Sequence, residues 1–225
     1  MSVLPFGPTN GGERFPGFDV ATQADHWDAA TRTKVLRRTQ PPTAVRFFTE
    51  HEQATATALF DQLLDQRGEP RIPVMNLVDA RLADHETDGW HYDTMPTDDR
   101  AWRLTLAALD DDSQARHGRD FSGCEWDEQN AVLQAIQDLD AEAWHGMTAS
   151  KVWSLWTRYA CTAFYAHPLA WNEIGFDGPA YPRGYKNLGV DRLEGIEVRD
   201  ARPADDPLSP SIRAAGTHPD GGESR

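Results

Sequence analysis

The chain has 225 residues, in which 22 lysines and arginines stand against 36 aspartates and glutamates, for a net charge of −14. That balance repels a phosphate backbone, no basic cluster offsets it locally, and nucleic acid is excluded as a partner. No run of about 18 apolar residues occurs, which excludes direct membrane insertion, and Cys124 and Cys161 lack the CxxC spacing of a zinc site and the density of a disulfide framework.

The length suits one domain with generous extensions or at most two small domains. Composition divides it into an extended N-terminal arm over 1–46, a helical domain over 47–198 and a disordered tail over 199–225. Both cysteines read as buried free thiols, and their spacing leaves open whether they pair. In the arm, Phe6, Phe15, Phe18 and Trp27 are scattered among turn formers, which predicts an extended segment laid over a surface by its aromatics. The first thirty residues contain three prolines, four glycines and no continuous apolar stretch, so they do not read as a secretory signal. Arg37 and Arg38 form an arginine pair, but "TQPPTAV" follows where a twin-arginine signal needs a hydrophobic segment. The chain as given is therefore expected in the cytoplasm, the alternative being export with a signal-bearing partner.

Five main helices are predicted in the central region. Thr49 and Glu52 have capping-box spacing, Leu59, Phe60, Leu63 and Leu64 share one face, and Gly68 is placed to stop the first helix. Pro73 takes a first helical position ahead of Val74, Leu77, Val78 and Leu82. Thr97 is placed to cap a third helix, Asp98 and Asp99 favour its positive end, and Trp102, Leu106 and Leu109 form its stripe. Val132, Leu133, Ile136 and Leu139 align a fourth; Val152, Trp156, Tyr159 and Ala163 align a fifth, which Pro168 ends. Apart from the ambiguous "GIEVRD" at 195–200, nothing alternates as a strand, so the fold class is all-α. The tail from Asp200 has four prolines and almost no large apolar residue, and truncation there should be tolerated.

A search for chemistry finds little. "EAWH" places Glu142 and His145 at the i, i+3 spacing that di-iron helix bundles use, on one face if helical. The motif should recur, and its nearest echo, Asp88 to His91, contains a glycine, so surface histidine is the preferred reading. His85 and His91 are six apart, and HExxH, GxSxG, GxxxxGK[ST] and GxGxxG are absent. An independent helical metal-dependent enzyme using Glu142 and His145 stays as a minor alternative. The spacing of Trp153, Trp156, Tyr159 and Phe164 points to a buried helix rather than a ligand box.

The segment "AWNEIGFDGPAYPRGY", residues 170–185, is different, with three glycines, two prolines and four aromatics. It is too rich in glycine and proline for a helix and too aromatic for a solvated loop, so something covers it. Either it folds back with Trp171, Phe176, Tyr181 and Tyr185 as plugs, or it docks on another protein, where tyrosine, tryptophan and arginine serve as anchors. The two arrangements can coexist.

The run "FYAHPLAWNEIGFDGPAYPRGY", Phe164 to Tyr185, resembles the C-terminal signature of the gluconate 2-dehydrogenase subunit 3 family. The likeness extends back to about Phe47 through "RFFTEHEQ", "RIPVMNLVDARL", "TDGWHYDTMPTDDRAWRL" and "DEQNAVLQAI". It implies a small helical subunit with no cofactor or catalytic residue of its own. The implied partner is a larger FAD-dependent oxidoreductase of the glucose-methanol-choline type, acting on a sugar, sugar acid or glycoside. In that larger subunit the flavin accepts a hydride while a histidine takes the hydroxyl proton, and electrons pass to a cytochrome or another acceptor. The small subunit supports the partner's folding and stability, and a transient folding chaperone is the variant reading. The exported members' signal has no counterpart here. Under the resemblance, the expected contacts are Trp171, Asn172, Glu173, Ile174, Phe176, Pro179, Tyr181, Pro182, Arg183 and Tyr185.

Overall fold

A computed structural model describes residues 14–40, 42–187, 189 and 192–204. These fall into two compact units, one of residues 37–167 and one that joins the residues before Arg37 to those from Pro168 onward. Among the described residues the regular elements are helices apart from one two-stranded hairpin, which makes the class all-α. Phe6 and most of the tail lie outside the described residues.

The central unit contains α2 (Glu50–Leu63), α3 (Val74–Ala83), α4 (Asp98–His117), α5 (Trp126–Gln137) and α6 (Ala149–Tyr165). The five predicted helices are present, with differences at their ends. Thr49 and Glu52 form the expected capping box. The first helix stops well before Gly68, because Asp65 takes the left-handed conformation (φ 50°) and the N–H of Gln66 closes on Asp61 O at 2.9 Å. Thr97 occupies the cap of α4, but its hydroxyl accepts no backbone N–H of the first turn. A second capping box, Glu125 with Glu128, starts α5.

Trp102 sits at the centre of this unit, fully buried, with ring centroids of Phe60 at 5.4 Å, Tyr159 at 5.7 Å and Phe48 at 6.1 Å. Trp156, also fully buried, packs on Trp144 and donates from Nε1 to Thr105 Oγ1 at 3.1 Å. The core reading of Trp156 and Tyr159 thus holds. Buried Asp79 of α3 accepts backbone N–H bonds from Arg46, Phe47 and Phe48 at 2.7 to 2.9 Å, which fixes the chain's entry into α2. A carboxylate is tolerated there because three donors replace its water.

The hairpin β1 (Ala143–Trp144) and β2 (Met147–Thr148) turns through His145 (φ 46°) and Gly146 (φ 80°). Two positive φ values in a two-residue loop match the right-handed twist of paired strands. "GIEVRD" forms a turn and no strand. Cys124 and Cys161 are both free; Cys124 is buried as expected, but Cys161 is exposed because it lies on the outer face of α6.

The other unit corrects the expectation of a wholly extended arm. Val20–His26 forms a 3-10 helix whose first turn is capped by Asp19 at 2.9 Å, and Ala29–Arg37 forms α1 behind Asp28, which accepts the N–H of Thr31 at 2.8 Å. Pro168 likewise ends no run: α6 has already stopped at Tyr165, and Pro168 opens α7, Pro168–Ile174. Proline fits a first turn because its missing N–H would have no partner there. Residues Trp171 to Ile174, expected in a loop, are therefore helical.

Candidate docking surface

The Gly-Pro segment is built outward from α7. Trp171 is buried with Val20, Trp27 and Val35 in the small core of its unit, and Phe18 and Ala24 pack against that core. Its neighbour Asn172 accepts the N–H of Val20 at 2.8 Å, so one side chain joins α7 to the start of the 3-10 helix. Gly175 then takes φ 68° and the N–H of Phe176 returns to Trp171 O at 2.9 Å, which closes α7 in a Schellman turn. The ring of Phe15 leaves no room for a Cβ at Gly175. Gly178 has φ 81°, and a Cβ there would stand 2.6 Å from Cζ2 of Trp27. Two glycines thus let the backbone lie directly on aromatic rings.

Beyond this base the segment turns outward. Buried Asp177 accepts the N–H of Val198 at 3.3 Å, and burial pushes its carboxyl above the usual range. Burial does the same to Glu173. Arg183 donates from Nη1 to Gln23 Oε1 at 3.2 Å, while its buried Nε and Nη2 have no hydrogen-bond partner. Ile174, Phe176 and Tyr185 are 40–50% exposed, Tyr181 is 64% exposed, and Pro182 is exposed beside it.

The ten expected contact residues therefore separate. Trp171 and Asn172 are internal, Glu173, Pro179 and Arg183 are half-buried, and Ile174, Phe176, Tyr181, Pro182 and Tyr185 face solvent. Of the four proposed plugs only Trp171 fills that role; the core beneath has too few apolar residues to take the rest.

The metal alternative loses its geometric premise. Glu142 and His145 lie at the hairpin rather than on one helical face, and His145 Nε2 pairs with Asp112 Oδ1 at 2.9 Å, as does Trp144 Nε1 with Asp112 Oδ2. Among the described residues no group of three histidine, cysteine, aspartate or glutamate side chains is close enough to hold a metal ion. Also among them, no helix is long and apolar enough to cross a membrane.

The central unit holds exposed aromatics that the residue-by-residue reading passed over. Trp90 and Tyr92, in the loop between α3 and α4, stand edge to face at 5.4 Å and are 49% and 38% exposed. The guanidinium of Arg158 lies 4.6 Å from the Trp90 ring, and Lys151 Nζ lies 5.2 Å from that of Tyr92. The signal was available: aromatics among glycine, aspartate and threonine in "TDGWHYDT" have the same composition clue as the Gly-Pro segment.

The model of the family "Gluconate 2-dehydrogenase subunit 3" matches residues 50–178, more than half of the chain. The protein belongs to that family, and so to the subunits of a larger dehydrogenase complex. The match runs from α2 through Gly178; Pro179 to Tyr185 lie beyond it. No curated protein and no solved structure matches the chain.

Proposed function

We propose that this chain is a non-catalytic small subunit that binds and stabilises an FAD-dependent oxidoreductase of the glucose-methanol-choline type, whose substrate is a sugar, sugar acid or glycoside. Family membership supports the subunit role. One structural observation carries the docking part of the reading: Ile174, Phe176, Tyr181 and Tyr185 are held in solvent above a base locked by Trp171, Asn172, Gly175 and Gly178. Large apolar side chains on a fixed backbone lose little freedom on association and gain the burial that their own unit does not supply. The flavin belongs to the larger chain, and no residue here is assigned to it. A cytochrome or other electron acceptor would connect through that larger chain.

The test is affinity capture of the tagged chain from its native cells, followed by mass spectrometry and an absorbance spectrum. A stoichiometric larger chain with flavin absorbance is expected. A colourless solitary protein would overturn the reading. Fractionating the cells before capture decides between a cytoplasmic complex and one exported with a signal-bearing partner. Tyr181→Ala and Arg183→Ala then test the surface, since complex formation unchanged in both would remove the Gly-Pro segment from the interface.

A further inference from the structure

We propose that the Trp90–Tyr92 loop is a second docking surface, and that its occupant is an arginine- or lysine-bearing segment of the larger dehydrogenase subunit. This rests on the accessory-subunit reading above and concerns a surface in the central unit, remote in sequence from the Gly-Pro segment.

A half-exposed tryptophan beside an exposed tyrosine is a poor use of a connecting loop, which polar residues serve at less risk of aggregation. Here the rings are also held in place from within. Arg158 of α6 lies against Trp90 while pairing with Asp88 and, at 3.5 Å, with Asp98; Asp88 pairs in addition with Arg81 of α3. Lys151 of α6 lies against Tyr92 and donates to Thr94 Oγ1 at 2.6 Å. Each ring thus has a cation of its own chain on one side, and that cation is committed to neighbours on the loop or beside it. Rings fixed in this way are poised to bind with little further ordering.

Charge selects the occupant. Beside Trp90 is a cleft of about 350 Å³ whose lining includes His85, Glu86, His91 and Asp99. Glu86, Asp93 and Asp99 are exposed around the loop, and the Thr97 hydroxyl hydrogen bond holds Asp99 below the usual carboxylate range. Aromatic faces flanked by ionised carboxylates fit a guanidinium or an ammonium, which gains a cation–π contact and an ion pair together. A second copy of this chain fits badly, since it would bring the same acidic surface and another net charge of −14.

The experiment measures binding of the larger subunit, purified from the captured complex, to the wild-type chain, to Trp90→Ala and to the double variant Asp93→Asn/Asp99→Asn. Trp90→Ala is expected to weaken binding about tenfold or more, with Trp90→Phe restoring much of it. The double variant is expected to weaken binding several-fold at low salt, and the difference should vanish near 1 M salt, where screening acts within about 3 Å. Because it leaves the rings and their internal cations untouched, the double variant remains informative if Trp90→Ala disturbs folding. Equal affinities for wild type and all variants would overturn the inference while leaving the accessory reading intact. A wild-type chain that binds no larger subunit would overturn both. A self-association of the wild type that Trp90→Ala abolishes would replace the proposed occupant with a second copy.

Discussion

In the unit of residues 37–167, Trp102, Trp156, Tyr159 and Phe60 are sealed among five long helices. In the unit made from the chain's two ends, Trp27 and Trp171 are sealed, yet Phe176, Tyr181 and Tyr185 stay in solvent. The contrast follows from supply. Long amphipathic helices offer enough apolar surface to surround large rings, whereas Val20, Val35 and two tryptophans form a core too small to cover more. The smaller unit compensates with local fit, through glycines against rings and an asparagine across two helices. Its outer aromatics stay in solvent, where the proposed docking role needs them.

The largest effect should come from emptying the centre of the helical unit. Trp102→Ala removes the ring that Phe48, Phe60 and Tyr159 share and is expected to cost about 3–5 kcal/mol in denaturant unfolding. An unchanged midpoint would mean that this core does not set the unit's stability. Gly178→Ala should act on the other unit alone, by about 2–4 kcal/mol, since it combines a left-handed alanine with a Cβ against Trp27. Hydrogen exchange reads where the loss falls: faster at α7 and the 3-10 helix, unchanged at α4. Acceleration at α4 would break the division into units with separate supports.

Acid should separate the units by sign. His167, in the helical unit, is buried and its pKa is pushed down to about 4, so it stays neutral in the folded chain while the unfolded chain takes up a proton. Stability from this source is present above about pH 6.5 and is lost as pH falls toward 4, by up to about 3 kcal/mol. In the other unit, Glu173 and Asp177 are raised by burial, so their contribution is present at low pH and is lost as pH rises through the carboxylate range. Denaturant unfolding of His167→Gln should show a flatter acid limb than wild type. An identical limb would assign the acid sensitivity elsewhere. The smallest effect on stability, under about 0.5 kcal/mol, is expected for Tyr181→Ala, because the ring is mostly in solvent. Its affinity for the larger subunit should nonetheless fall about tenfold, and a stability loss without an affinity loss would make it a folding residue.

The helical unit was largely legible because its signals are local: apolar residues at three- and four-residue steps, and the Thr49–Glu52 box. The ends of the chain were not. The 3-10 helix and α1 each bury a single apolar residue, too few to show a period; Asn172, 152 positions away, holds the first, and the core shared by Val35 and Trp171 holds the second. Pro168 reads as a stop in the sequence and is a start in the structure, an ambiguity that a lone proline carries in any helical pattern. Within the Gly-Pro segment composition announced an unusual surface, but the separation of buried Trp171 from exposed Tyr181 depends on a core contributed by the opposite end of the chain. The stacking of Arg158 on Trp90 is invisible for the same reason, being a contact between residues far apart in sequence.

The most direct measurement compares hydrogen exchange of the free chain with that of its purified complex with the proposed flavin-bearing larger subunit. Slowed exchange across Ile174 to Tyr185, at full occupancy by one larger chain, is the result expected of an accessory subunit that docks through its Gly-Pro surface. Exchange there that is unchanged in a stoichiometric complex, or the failure of any flavin-bearing chain to join it, would contradict the account.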